Sequence, residues 1–238
     1  MKSQLFSLLS LTSLALAQNL CDQYSYYAQD GFYFNNNEWG AGSGSGSQCT
    51  YVDSVSSGGV SWHTEWTWSG GENQVKSYPY SGRELTTKKL VSNIASIPTT
   101  AEWKYEGNNL RCNIAYDLFT AADPNHDISS GEYELMIWLG NLGPVYPIGG
   151  NPIATVNING QNWNLHSGLN GAMRVFSFVA PSQITSFSTD IKPFFNYLAQ
   201  NQGFPASSQY LLNLQFGSEP FTGSNARFTV SNWSGSVN

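Results

Sequence analysis

Three separate stretches of this chain alternate apolar and polar residues for about ten positions each, and a period of two commits them to strands with unlike faces. In residues 110–119, Leu110, Cys112, Ile114, Tyr116 and Leu118 share one side, with Asn113 and Asp117 on the other. In residues 131–140, Tyr133, Leu135, Ile137 and Leu139 form an unbroken apolar side opposite Glu132, Glu134, Met136 and Trp138. In residues 210–220, Tyr210, Leu212, Leu214 and Phe216 point one way; Asn213, Gln215, Gly217 and Glu219 point the other. Successive side chains of a strand face opposite sides, so each run must bury its apolar side against another layer. Each polar side also carries a carboxylate, and glutamate is poorly suited to a strand interior. A single one reads as a solvated outer position. Three, on faces rich in amides and aromatics, are harder to dismiss.

The rest of the chain fits the same class. Turn-forming clusters recur at intervals of roughly ten residues, with β-branched and aromatic runs between them, the pattern of an all-β sandwich or barrel. Asn159-Gly160 is a preferred two-residue hairpin turn; it predicts Val156 opposite Trp163 and Ala154 opposite Leu165. A single helix is expected over 188–202, from Ile191, Phe194, Phe195 and Leu198 at helical spacing. Ser188 or Thr189 would cap it, and Gly203 with Pro205 would stop it. Residues 42–47 read as a flexible loop.

Residues 1–17 read as a secretory leader. Lys2 precedes an apolar stretch, and Ala15-Leu16-Ala17 offers a small-x-small cleavage site. The expectation is therefore an exported, extracellular protein, with 18–238 as one domain and no membrane span. In an oxidising compartment Cys21 and Cys49 are expected to pair, at about 3–4 kcal/mol on the chain-entropy model. Cys112 sits in a strand-like run and reads as a buried free thiol, although spacing alone leaves bridges to it open.

Composition narrows the function. The net charge is −6, with 11% charged residues. That leaves no basic patch for nucleic acid. Aromatics make up 14%, including eight tryptophans, and flat rings stack on the apolar faces of sugars. Aromatic core packing explains the same number equally well. Paired carboxyls tilt the balance, because most glycosidases flank the anomeric carbon with two of them. A retaining enzyme holds the two about 5–5.5 Å apart, and carboxyls that close resist double ionisation.

The chain resembles glycoside hydrolase family 12, the small fungal and bacterial endoglucanases. The likeness rests on Asn36-Asn37-Glu38-Trp39-Gly40, Ser61-Trp62-His63-Thr64-Glu65-Trp66, Val75-Lys76-Ser77-Tyr78, Ala115-Tyr116-Asp117-Leu118-Phe119, Glu134-Leu135-Met136-Ile137-Trp138 and Phe216-Gly217-Ser218-Glu219-Pro220-Phe221. It implies a β-jelly-roll sandwich of two curved antiparallel sheets with one packed α-helix and an open cleft. It further implies Glu134 as nucleophile, Glu219 as acid/base and Asp117 as the nucleophile's partner. Asn37, Trp39, Met136 and Trp138 would bind substrate, and Cys21–Cys49 would be the family's disulfide. The expected activity is that of a retaining endo-β-1,4-glucanase on cellulose and mixed-linkage β-glucan, a monomer needing no cofactor and no metal. Xyloglucan is the alternative substrate, with loops 141–151 and 166–172 deciding. A xylanase fits the quoted motifs less well, and a non-catalytic or host-recognised wall protein would not need the carboxyl pair. Trp62, Trp66, Trp68 and Trp163 read equally as core. His63 and His126 lack a second ligand at metal spacing. Asn232-Trp233-Ser234 is a glycosylation sequon.

Overall fold

A computed structural model describes residues 18–238; the expected leader, 1–17, lies outside the described residues. In chain order the strands are β1 Gln18–Leu20, β2 Tyr26–Gln29, β3 Phe32–Asn35, β4 Ser45–Ser56, β5 Gly59–Ser69, β6 Tyr80–Arg83 and β7 Pro98–Ala121. Then follow β8 Tyr133–Leu142, β9 Ala154–Ile158, β10 Gln161–Asn170, β11 Met173–Val179, β12 Ser186–Asp190, helix α1 Lys192–Asn201, β13 Tyr210–Leu211 and β14 Gln215–Gly235. No described helix is long and apolar enough to cross a membrane.

Two strands, β7 and β14, are long enough to serve both layers of a sandwich. Their outer halves pair with each other beside β5, β4 and β1 on one side and β12 on the other. Their inner halves pair again, now between β6, β3 and β2 on one side and β8, β11, β10 and β9 on the other. The passage from one layer to the other is marked by register shifts between Pro220 and Arg227. Gly223 has φ 154°, Asn225 φ 49° and, on the facing strand, Asn109 φ 51°. Bulges of this kind bend and twist a strand, so the chain folds over instead of running on flat. The result is the expected jelly-roll, with hydrogen bonding continuous through the two long strands. One pair departs from the antiparallel rule: β11 runs parallel to β8, with Val175 opposite Glu134 and Ser177 opposite Met136.

The apolar faces read from the alternation close on each other. Ile114, Tyr116, Leu118, Leu135, Ile137, Leu139, Leu214 and Phe216 join Trp62, Trp163 and Trp233 in the main core. The hairpin register matches the sequence expectation, with Trp163 opposite Val156 and Leu165 opposite Ala154; Asn159 and Gly160 both have positive φ, as that turn needs. Trp62, Trp66, Trp68 and Trp163 are all buried.

The helix is shorter than its periodicity predicts. Ser188 and Thr189 do not cap it; they pair with Thr100 and Thr99 as part of β12. Asp190 takes the capping role, its Oδ1 accepting from Lys192 N (2.9 Å) and Ile97 N (2.6 Å). A free edge of β7 offered a ladder of hydrogen bonds, and tertiary pairing outweighed local propensity. Cys21 and Cys49 are bridged, and Cys112 is free and buried, where burial pushes its thiol up to about 12.

Candidate active site

The polar faces of β7, β8 and β14 come together on the inner sheet. Gln215 lies opposite Asp117 and Glu219 opposite Asn113 across β14 and β7; Asp117 lies opposite Met136 and Phe119 opposite Glu134 across β7 and β8. Asp117 and Glu134 are therefore diagonal neighbours on one face, within reach for long side chains. Both are nearly closed to solvent, at 6% and 8% exposure, whereas Glu219 is partly open.

Electrostatics tie the three carboxyls into one unit. Burial pushes Glu134 up to about 8; the charge of Glu219 adds to this and a hydrogen bond with Asp117 works against it. Burial pushes Glu219 up to about 7, opposed by its hydrogen bond from Asn113. Asp117 is held well above the usual carboxylate range, by burial first and then by the charges of Glu134 and Glu219. Its Oδ1 is buried without a hydrogen-bond acceptor or donor among the described residues. A proton on Asp117, shared with Glu134, satisfies both observations, since an ionised pair there would be two unscreened like charges. Such a cluster titrates as a unit rather than as independent acids.

Glu219 is fixed by a clamp that the alternation did not reveal. Its backbone N–H donates to Asn113 Oδ1 (2.8 Å), while Asn113 Nδ2 donates back to its carboxylate. Ser218 Oγ donates to the Asn113 carbonyl (2.5 Å) and lies 3.2 Å from Tyr105 Oη. Asn113 was visible only as an amide sharing the Asp117 face. Tyr78, buried beside all three acids, donates through Oη to the Ala115 carbonyl (3.0 Å). It is another member that periodicity could not place. Gly217 is demanded by packing, because a Cβ there would stand 2.3 Å from the Pro79 carbonyl oxygen.

The other residues singled out from sequence divide. Trp39 is an exposed ring, 54% open, on the turn after β3. Asn37 adopts φ 46° and donates Nδ2 to the Tyr78 carbonyl (3.1 Å), so part of its amide is already engaged in holding that turn. Met136 is buried in the cleft floor with Ala115, Val145, Val175 and Phe221. Trp138 corrects the sequence expectation of a sugar platform. At 2% exposure it belongs to that same packed cluster, so its ring faces are already covered. Glu132 sits just ahead of β8 and accepts from Gln209 Nε2 (2.6 Å), away from the carboxyl unit. His63 Nδ1 pairs with Asp53 Oδ2 (2.8 Å), His126 Nδ1 with the Asp127 carbonyl (2.9 Å), and no metal-ligand cluster occurs among the described residues. Tyr24 and Tyr26 are also exposed, with Tyr26 stacked on Tyr33; nothing in the alternation marked them. A hollow of about 490 Å³ lined by Tyr51, Glu65 and Arg227 lies on the outer sheet and contains none of the three acids.

Known proteins are similar to this one across nearly the whole chain. The sequence pattern described as Glycosyl hydrolase family 12 matches residues 30–238. Endoglucanase A of Aspergillus kawachii is 54% identical over 228 residues, covering 94% of this chain and 95% of the relative. The xyloglucan-specific endo-beta-1,4-glucanase A of Emericella nidulans is 49% identical over 238 residues, covering 96% and 98%. Among solved structures, Trichoderma harzianum endoglucanase 3 superposes with a TM-score of 0.91 at 52% identity, covering 95% of this chain and all of the other. The catalytic domain of Humicola grisea Cel12A, in complex with a soaked thio cellotetraose, gives 0.90 at 46% identity, covering 93% and 99%.

Proposed function

The chain belongs to glycosyl hydrolase family 12, and from that premise we propose that Glu134, Glu219 and Asp117 carry out retaining hydrolysis in the inner-sheet trough. It is a glycoside hydrolase, an endo-1,4-β-glucanase acting on polysaccharide. The observation that carries the assignment of roles is the unlike environment of acids on one face. Glu134 is enclosed and bonded to Asp117, whereas Glu219 is partly open and clamped by Asn113. A nucleophile benefits from a fixed rotamer and a neighbour that donates to its charged form. An acid/base must exchange protons with solvent between turnovers.

The reaction then runs by double displacement. Glu134 attacks the anomeric carbon as the glycosidic C–O bond breaks, and Glu219 gives its proton to the departing oxygen. A covalent glycosyl–enzyme remains. Glu219, now ionised, takes a proton from water as that water attacks the same carbon and expels the Glu134 carboxylate. Asp117 donates to Glu134 whenever it is charged. Trp39 offers a ring face to a sugar, Asn37 a polar contact and Met136 a wall, with Trp138 packed behind it. Export after residue 17 and action as a monomer complete the reading.

Two measurements test it. Glu134→Ala should lower kcat by a factor of about 10⁴ or more with the fold retained, and near-normal turnover in that variant sinks the assignment. An NMR time course should show the β-anomer first; the α-anomer as first product rules out retention. Unbranched β-1,4-glucan is the preferred substrate in this reading. Xyloglucan is the second, favoured by the 49% identity to a xyloglucan-specific relative. Initial rates on carboxymethylcellulose, barley β-glucan and tamarind xyloglucan decide between them.

A further inference from the structure

A chain of indole and hydroxyl groups crosses the apolar interior from the outer sheet to the residue that clamps Glu219. Trp66 Nε1 on β5 donates to Tyr105 Oη (2.7 Å), Tyr105 Oη lies 3.2 Å from Ser218 Oγ, and Ser218 Oγ donates to the Asn113 carbonyl (2.5 Å). Its direction is fixed at both ends, because an indole N–H only donates and a carbonyl only accepts. Ser218 gives its single proton to Asn113, so Tyr105 is the donor to Ser218. The surroundings are apolar. Trp66, Cys112 and Ala226 belong to a buried cluster against which Tyr105 packs, and the Tyr105 ring stacks on Phe228 at 5.1 Å. Burial holds the Tyr105 phenol well above its ordinary range and pushes the Cys112 thiol up to about 12, so both stay neutral.

Position gives this chain its consequence. Tyr105 lies on the outer half of β7, opposite Phe228, and Asn113 lies on the inner half, opposite Glu219. Between them β7 passes through Gly107 (φ 144°) and Asn109 (φ 51°), where it folds from one layer to the other. Bulges bend a strand and interrupt its ladder, so the angle between the two halves needs another restraint. The Tyr105–Ser218–Asn113 bridge ties the halves together across that bend. Asn113 both accepts from the Glu219 N–H and donates to its carboxylate, so any drift of its backbone passes to the acid/base. A misplacement of about 1 Å arising far from the reacting atoms can cost about 100-fold in rate. The titratable groups that face Glu219 are Asp117 on β7, Glu134 on β8 and Tyr78. None of them hydrogen-bonds to Tyr105 or Ser218 among the described residues.

We propose that the hydroxyls of Tyr105 and Ser218 are positioning groups for catalysis, holding the Asn113 backbone where its amide can clamp Glu219. This rests on the reading of Glu219 as acid/base given above and deepens it. Tyr105→Phe removes one hydroxyl and keeps the ring; Ser218→Ala removes the other. Each should lower kcat about three- to ten-fold, the size of one lost hydrogen bond, with KM unchanged. The alkaline limb of the kcat/KM profile should move upward, because a loosened Asn113 no longer favours the charged form of Glu219. In the Asn113→Ala background neither change should lower kcat further. A lowered Tm with kcat, KM and the limb all unchanged overturns the proposal, and so does a full additional loss of kcat in the Asn113→Ala background. Should one of the two variants fold poorly, the other decides. Near-normal turnover of barley β-glucan by Glu219→Gln would instead sink the role of Glu219 itself.

Discussion

Asn113 shows how one amide can set the behaviour of an acid two strands away from its partner. It receives the Glu219 N–H and returns a donor to the carboxylate, so it both fixes the rotamer and favours the charged form. Removing it has a sign that a merely structural loss lacks. In Asn113→Ala, Glu219 loses the bond that lowers its pKa, so its proton is held to higher pH. The alkaline limb of the kcat/KM profile should move upward while kcat falls about ten-fold or more from the freed rotamer. A downward or unmoved limb, measured across pH 4–9, contradicts the clamp. Asn113 was legible in the sequence only as a polar residue on the right face, because a hydrogen bond to the neighbouring strand depends on register.

Among the elements, β14 is the most constrained, since it serves both sheets and carries Glu219. Its Gly217 faces the Pro79 carbonyl, the Cβ of Tyr80 and the ring of Tyr78. Gly217→Ala must push β14 away from β6, at about 1–3 kcal/mol for overpacking. It also displaces an acid only two residues onward. Both Tm and kcat should fall; an unchanged pair of values would show that the strands part without cost. The helix offers the opposite lesson. Its apolar spacing located α1, but its start was misplaced, because pairing of Ser188 and Thr189 with β7 is a tertiary event. Trp138 failed as a platform for a related reason. Alternation put it on the cleft face, and Val145 from a loop then covered that cluster.

For the molecule as a whole, the carboxyl unit of buried Glu134 and Asp117 with half-buried Glu219 couples folding to pH. Their unfolded values lie near 4, while burial holds Glu134 at about 8, Glu219 at about 7 and Asp117 well above the ordinary range. Between roughly pH 4 and 8 the folded state therefore binds more protons than the unfolded state, and unfolding free energy falls as pH rises. Tm should be highest on the acid side of that window and decline toward pH 8. In Glu134→Ala the decline should flatten, since one desolvated carboxyl is gone. A Tm that rises from pH 5 to 8 would contradict the burial of these groups. Catalysis needs one charged and one protonated acid, so activity should follow a bell-shaped pH profile whose limbs belong to the coupled carboxyl unit rather than to either acid alone.

The sequence by itself determined which residues share a face, because strand alternation is local and needs no partner. From that came the sandwich, the hairpin register and three carboxylates pointing away from the core. Whether the acids could act together was decided only in three dimensions. Glu219 lies opposite Asn113 and Glu134 opposite Phe119, an offset of six positions along β7 that would span about 20 Å on a flat strand. Glu134 nevertheless feels the Glu219 charge, so register along a single strand does not decide which acids act on one another. Curvature is a sum over many strands and bulges, and no short run of residues contains it.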